Sequence, residues 1–194
     1  MHKRIRRRVC QKARVMSARA ELIRHPATGC GVIRRIAVEA SRAADALDIS
    51  FRVEGDISLL AIPAAGAPQR SDGLWQHSCF EAFLQTGGNE AYLEFNFSPS
   101  GAWAAYRFSA RRRGRESPVL TAPRTEVRRG PDWLAMTIQI SLAAIAEFAG
   151  RPIAAGLAAV IEDRHGALSW WALDHRAAAP DFHDPATFTL RLPA

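Results

Sequence analysis

The stretch that decides the fold runs from Asp72 to Phe108 and reads DGLWQHSCFEAFLQTGGNEAYLEFNFSPSGAWAAYRF. From Tyr92 to Phe97 apolar and polar residues alternate, which is the period of a strand with one buried face. The turn residues Ser98 to Gly101 follow, and the alternation resumes after them. The stretch therefore predicts an antiparallel β-hairpin.

A four-residue loop closed by Phe97 and Ala102 sets the predicted register of this hairpin. On the core face, Phe95 then lies opposite Ala104, and Leu93 lies opposite Tyr106. On the other face, the register pairs Asn96 with Trp103, Glu94 with Ala105 and Tyr92 with Arg107. One sheet face would therefore carry a carboxylate, an amide, a guanidinium and two aromatic rings, namely Tyr92, Glu94, Asn96, Trp103 and Arg107.

Two interpretations of this face remain open. Hydrogen-bonding groups beside flat aromatic rings on a rigid sheet are what a polyhydroxylated ligand requires. The same residues are also typical of the solvent face of an antiparallel sheet, with Arg107 paired to Glu94 and Trp103 partly covered by a loop, and the pattern alone favours this second interpretation.

Several motifs in the chain resemble a known family. The runs GLWQH at 73–77, CFEAF at 79–83 and YLEFNFSPSGAW at 92–103, with SWWALDH at 169–175 and PDFH at 180–183, are similar to the bacterial DOMON-like proteins of the carbohydrate-binding family 9-like group. The resemblance covers the chain from about Ala18 onward. SARRR at 109–113 departs from the family pattern, as does Arg176, where a proline is expected. The resemblance implies a β-sandwich that binds a sugar, or haem, since DOMON-type domains bind either.

The charge of the chain is concentrated in its first residues. The net charge is +7, and residues 1–15 contain seven lysines and arginines and no acid. The rest of the chain is neutral, with 19 arginines against 19 acids, so the folded domain is not predicted to bind nucleic acid. We expect a disordered basic tail over 1–15 and one domain over 16–194. The tail is interpreted as an over-extended translation start, or else as an arm that contacts RNA or a membrane.

The cysteines and the hydropathy pattern bear on the cellular compartment. Cys10, Cys30 and Cys79 cannot all pair within one chain, and they form no metal-binding pattern, so we expect free thiols. No apolar run of signal-peptide or membrane-spanning type is present. These features predict a cytoplasmic protein without membrane contact by the domain.

The remaining chain predicts further strands with almost no helix. Strands are expected at residues 19–25, 47–54, 57–62, 132–142, 153–161, 167–173 and 188–192. Residues 33–44 suit a strand or a helix, and residues 109–123 read as an exposed arginine-rich loop. The fold class is therefore all-β: an antiparallel β-sandwich, immunoglobulin-like or jelly-roll-like, with nine or more strands and one short helix near 142–148.

Three functions remain open, and the first is non-catalytic binding of a small ligand, a sugar. Trp170 and Trp171 point to opposite faces of a strand, so at most one can serve a given pocket. The candidate ligand-binding residues are Trp75, His77, Glu81, Tyr92, Glu94, Asn96, Trp103, Arg107, Trp171 and His175.

The second function is haem binding, with axial ligands drawn from Met136, His77, His175 and His183. A structural calcium ion also remains open as a cofactor. The third is sugar hydrolysis, with Glu81 and Glu94 as acid and base. The chain lacks a phosphate loop, a nucleophile elbow and a zinc-protease motif, which makes an enzyme less favoured. The oligomeric state is left open.

Overall fold

The computed structural model describes residues 16–28, 31–43 and 45–194. The predictions for the tail over 1–15, for Cys10 and for Cys30 lie outside these residues. The described residues contain twelve β-strands: β1 (Met16–Arg24), β2 (Ile33–Ala43), β3 (Ala46–Gly55), β4 (Gln69–Arg70), β5 (Cys79–Thr86), β6 (Tyr92–Phe97), β7 (Ala102–Phe108), β8 (Arg124–Arg129), β9 (Trp133–Ser141), β10 (Ile153–Glu162), β11 (Leu168–Ala172) and β12 (Leu190–Leu192). None of the described helical turns is long and apolar enough to cross a bilayer.

The strands form one curled sheet that folds into two layers. The back sheet has the order β1-β2-β3-β9-β8, and the front sheet has the order β4-β7-β6-β5-β10-β11, with β12 paired to β10. Strand β1 joins the layers, because Met16 to Leu22 pair with β2 whereas Ile23 and Arg24 pair with β11. All pairings except that of β4 with β7 are antiparallel, so the predicted antiparallel β-sandwich is confirmed.

The main core lies between the two sheets. Strand β3 alternates as predicted, and Leu47, Ile49, Phe51 and Val53 are all buried. From the front sheet Phe80 packs against Phe51, with ring centroids 4.9 Å apart. Burial of a large aromatic or aliphatic side chain contributes about 1.5–3 kcal/mol, so this apolar layer supplies most of the stability of the sandwich.

A second apolar cluster covers the outer face of the front sheet. It contains Phe83, Tyr92, Tyr106, Phe108 and Phe188. Phe188 belongs to residues 173–189, a segment without strands that lies against this face and is called the closing segment below. The front sheet is therefore buried on both faces over part of its area, although it is antiparallel.

The predicted register of the central hairpin is wrong by one residue. Phe97 pairs with Trp103, Glu94 with Tyr106, and Tyr92 with Phe108. The reason lies in the turn: the Ser98 backbone N–H donates to Ala102 O at 2.8 Å, and Gly101 has a left-handed φ of 92°. Ser98 and Ala102 therefore close a three-residue loop that ends in a left-handed glycine, and this loop is one residue shorter than the predicted four-residue loop.

Because side chains alternate along a strand, this shift reverses every side chain of β7. Trp103 and Ala105 face the core between the sheets, while Tyr106 and Phe108 face outward. Arg107 also leaves the predicted face and pairs with Glu147, at 2.5 Å. The prediction that Trp103 and Arg107 share a face with Glu94 is therefore wrong.

Two predicted elements take other forms. The short helix expected near 142–148 is only a 3₁₀ turn over Ala146–Phe148, because the apolar residues Leu142, Ile145 and Phe148 recur every three residues. Residues 57–62 hold a 3₁₀ turn over Ile57–Leu59 instead of a strand, since the Asp56 carboxylate accepts a hydrogen bond from the Ser58 backbone N–H at 3.1 Å. The arginine-rich segment at 109–123 contains no strand, as predicted, and is called the arginine loop below.

Candidate ligand-binding site

A pocket of about 470 Å³ opens on the outer face of the front sheet. Its floor is formed by side chains of three neighbouring strands: Glu81 of β5, Glu94 of β6, and Tyr106 and Phe108 of β7. The walls come from Trp75, Trp170, Arg112, Arg115, Pro180, Phe182 and His183. Apolar rings thus surround a small number of polar groups, which is typical of small-molecule sites.

Two carboxyl groups lie at the bottom of the pocket. Glu81 is 3% exposed and Glu94 is 4% exposed. Burial, reinforced by the nearby Glu94, raises the pKa of Glu81 well above its usual range. Burial also raises the pKa of Glu94, against the opposing effects of the Asn96 hydrogen bond and of Arg112 and Arg115. Both groups are thereby shifted toward the neutral, protonated form.

The two carboxyl groups differ in their partners. The Glu94 Oε1 atom accepts a hydrogen bond from Asn96 Nδ2 at 2.6 Å. The Glu81 Oε1 atom is buried and has no hydrogen-bond partner within the described residues. An unsatisfied buried polar atom costs about 1–3 kcal/mol, so Glu81 is the group on the floor that gains most from a ligand.

His183 connects the closing segment to the floor. Its Nδ1 atom lies 2.7 Å from the Tyr92 hydroxyl, and its Nε2 atom lies 3.6 Å from Glu94 Oε2. The Tyr92 oxygen also accepts a hydrogen bond from the Arg112 backbone N–H at 3.2 Å. Burial, with the positive charge of Arg112, lowers the pKa of His183 to about 4. At neutral pH His183 is therefore uncharged, and its two ring nitrogens face Tyr92 and Glu94.

Asp181 holds the arginine loop against the closing segment. Its carboxylate accepts from Arg111 at 2.5 Å and from Arg112 at 2.9 Å, and also from the His183 backbone N–H at 3.0 Å. Although burial opposes the change, these three hydrogen bonds lower the pKa of Asp181 to about 2. The pocket wall is therefore fixed by a charged cluster that stays ionised at neutral pH.

Trp75 reaches the pocket through a local backbone feature. It lies in a 3₁₀ turn over Leu74–Gln76, and the preceding Gly73 has a left-handed φ of 74°, which favours glycine. Trp75 remains 51% exposed, although its ring is large and apolar. Tyr106, on the floor, donates its hydroxyl to Asp72 at 2.6 Å, just ahead of this turn.

Five of the ten predicted site residues lie in or directly beneath the pocket. Trp75, Glu81 and Glu94 line it. Tyr92 and Asn96 lie behind the lining and hold His183 and Glu94 in place.

The other five predicted site residues lie elsewhere. Trp103 and Trp171 are buried in the core between the sheets. His77 is exposed and pairs with Glu162 at 2.8 Å beside a different cleft. Arg107 pairs with Glu147, and the His175 ring bonds to the Ile23 carbonyl at 2.8 Å.

Sequence reasoning missed several lining residues for identifiable reasons. The predicted register places Tyr106 on the core face, and the predicted site includes Trp171, whereas Trp170 faces the pocket. Arg112 and Arg115 belong to a loop without hydrophobic periodicity, so no sequence pattern predicts where their side chains lie. His183 was named only as a haem ligand candidate. The left-handed Gly101 was the one available signal, since it predicts the loop that sets the correct register.

The candidate axial ligands for haem are not brought together. Met136 is fully buried in the core between the sheets, whereas His183 faces the pocket on the other side of the front sheet. His77 and His175 bond to Glu162 and to Ile23. Among the described residues no group of three or more His, Cys, Asp and Glu side chains is arranged to hold a metal ion.

The fold and this site define a β-sandwich with a ligand pocket on the outer face of one sheet. A candidate carbohydrate-binding protein from Bacteroides uniformis is similar in structure, with a TM-score of 0.68 and 12% identity over 92% of this chain and 86% of that chain. A carbohydrate-binding module of family 9 from Caldicellulosiruptor kristjanssonii, solved in complex with cellotriose, has a TM-score of 0.52 and 12% identity over 89% of this chain and 80% of that one. The fold is thus like that of carbohydrate-binding module family 9. No protein-family model and no curated protein matches the chain.

Proposed function

We propose that the protein is a non-catalytic carbohydrate-binding module whose ligand occupies the pocket on the front sheet. The observation that carries this proposal is the combination of Trp75 and Trp170 at the walls with the buried, unpartnered Glu81 oxygen on the floor. A sugar ring has apolar C–H faces and a rim of hydroxyl groups. The tryptophan rings can stack on the apolar faces, and the carboxyl oxygen can form a hydrogen bond with a hydroxyl group.

The exposure of Trp75 supports a stacking role. A tryptophan in the main core, such as Trp171, is only 5% exposed, whereas half of the Trp75 surface is open to solvent. Leaving a large apolar ring in water forgoes burial energy, so a ligand that covers it gains affinity. The two structural neighbours described as carbohydrate-binding, one of them holding cellotriose, support the same ligand class.

Isothermal titration calorimetry against a panel of mono- and oligosaccharides tests the proposal, with Trp75→Ala as the key variant. Loss of a stacking platform should weaken binding by about 1–3 kcal/mol, by analogy with base stacking on aromatic side chains. Trp133→Ala is the matched control, because Trp133 lies in the back sheet under the Arg52 guanidinium, far from the pocket. The affinity of Trp133→Ala for the sugar should equal that of the wild type.

Two results would contradict the proposal. The first is the absence of any sugar that binds the intact protein. The second is a sugar whose affinity falls equally in Trp75→Ala and Trp133→Ala, because that would place the ligand outside the pocket.

Hydrolysis of a sugar is the second candidate function. It is favoured by the two buried carboxyl groups of Glu81 and Glu94, whose raised pKa values suit a general acid. Release of reducing ends from an oligosaccharide that drops about a hundredfold or more in Glu81→Gln would support it. Equal release by the wild type and the variant would exclude this role for Glu81.

A further inference from the structure

The guanidinium of Arg115 is a free cationic group at the pocket. Its neighbours in the arginine loop, Arg111 and Arg112, are both bound to Asp181. Arg115 instead lies over the Tyr106 ring, with 4.9 Å between its Cζ atom and the ring centroid. Within the described part of the chain it pairs with no carboxylate, so its N–H donors remain available to a ligand.

The floor beside Arg115 does not supply the missing negative partner. The nearest floor carboxyl, Glu94, already accepts from Asn96, and it is shifted toward its neutral form by burial. Glu81 is shifted in the same direction and further. The pocket therefore places the Arg115 guanidinium at one wall, beside a floor whose two carboxyl groups are shifted toward their neutral forms, an arrangement that favours an anionic ligand over a cationic one.

The strand register gives the relative order of these groups across the pocket. Glu94 is the cross-strand partner of Tyr106, and Glu81 lies one strand further away on β5, beside Asn96. With strands about 4.8 Å apart and a rise of about 3.4 Å per residue, Glu81 lies two strand spacings across and two residues along from Tyr106, a diagonal of about 12 Å. Arg115 over Tyr106 and the open Glu81 oxygen thus lie at opposite ends of a diagonal across the pocket floor, with Glu94 between them, so a sugar bound over Glu94 would lie between both groups.

We propose that the ligand is an acidic sugar, a uronic acid or a chain ending in one, whose carboxylate pairs with Arg115 while its ring hydroxyls bond to Glu81. This inference rests on the proposed function and adds the chemical class of the sugar. A guanidinium pairs with a carboxylate through two parallel N–H···O bonds, which a neutral hydroxymethyl group cannot form. The difference between a uronic acid and its neutral counterpart is confined to that one group, so it isolates the contribution of Arg115.

Calorimetric titration of the full chain with glucuronic and galacturonic acid, beside glucose and galactose, tests the inference. A uronic acid should bind about tenfold or more tightly than its neutral counterpart, and added salt should reduce this preference. Arg115→Gln should remove most of the preference, measured as the ratio of the affinity for the uronic acid to the affinity for its neutral counterpart in the same variant. Arg113→Gln in the same exposed loop is the control, because Arg113 does not line the pocket, and it should keep the preference.

The outcomes separate this inference from the proposed function. If neutral sugars bind as tightly as the acids, or if Arg115→Gln behaves like Arg113→Gln, the acidic-sugar inference is overturned while carbohydrate binding stands. If neither neutral nor acidic sugars bind, the proposed function fails and the inference fails with it.

Discussion

The two faces of the hairpin formed by β6 and β7 are both buried, yet they differ in composition and in role. The inner face places Phe95, Phe97 and Trp103 against the back sheet in a continuous apolar layer. The outer face places Glu94 and Asn96 beside Tyr106, under a pocket whose buried polar atoms are incompletely paired. Burial by itself therefore does not distinguish core from site in this protein. The distinguishing property is whether the buried groups find all their partners within the chain.

The largest expected effect concerns the inner face. Trp103→Ala should lower the free energy of unfolding by about 3–5 kcal/mol, because it removes a large aromatic side chain from the packed core. Urea unfolding followed by circular dichroism measures this loss. A mutant with near wild-type stability but impaired sugar binding would place Trp103 in the pocket and restore the originally predicted register.

Gly156→Ala tests how tightly the outer face is packed. A Cβ atom at Gly156 would lie 2.5 Å from Phe188 Cδ1, so the closing segment would have to move. We expect a loss of about 1–3 kcal/mol in unfolding free energy together with weaker ligand binding. Gly87→Ala is the control, since a Cβ there meets nothing within 4 Å, and it should change neither quantity. Wild-type stability and affinity in Gly156→Ala would show that Phe188 is not docked as described.

Glu81→Gln tests how much the buried carboxyl group on the outer face lowers the free energy of unfolding. The pKa of Glu81 is raised on folding, so the folded state binds its proton more tightly, and stability falls as pH rises above the ordinary value of 4.5. Below that pH the carboxyl is neutral in both states and contributes no pH dependence.

The glutamine side chain has the same shape and stays neutral. The stability of the variant relative to the wild type should therefore rise with pH above 4.5, by at most about 1.4 kcal/mol per pH unit. Urea unfolding at several pH values measures the difference, and Glu126→Gln on the exposed strand β8 controls for net charge. A difference that is independent of pH would show that Glu81 titrates normally.

The smallest expected effects belong to Tyr92→Phe and Tyr106→Phe. The Tyr92 hydroxyl links His183 to the Arg112 backbone, and its loss should cost about 1 kcal/mol of stability. Tyr106→Phe should cost less, because its partner Asp72 is exposed and water can replace the lost hydrogen bond. Urea unfolding of the two variants side by side gives the comparison, and a larger loss in Tyr106→Phe would contradict this account of the polar links.

Sequence patterns predicted β6 and failed on β7 for a physical reason. In β6 polar side chains occupy only one face, so alternation alone assigns Glu94 and Asn96 to the outside and Phe95 to the core. In β7 both faces are apolar, with Trp103 and Ala105 on one side and Tyr106 and Phe108 on the other. Alternation of apolar and polar residues therefore does not show which face of β7 is toward the core. The turn with its left-handed Gly101 sets the register and so decides which face is buried between the sheets.

The sequence by itself determined the all-β class, most of the strands, and the outward face of Glu94, because these depend on local hydrophobic periodicity and turn chemistry. Only the tertiary structure brought His183, Arg112 and Arg115 to the same pocket, since they lie in segments without a period, and contacts with Tyr92, Asp181 and Tyr106 position them. Tertiary structure also decided that one Glu81 oxygen stays unpaired, because the partners of a buried atom come from strands distant in sequence.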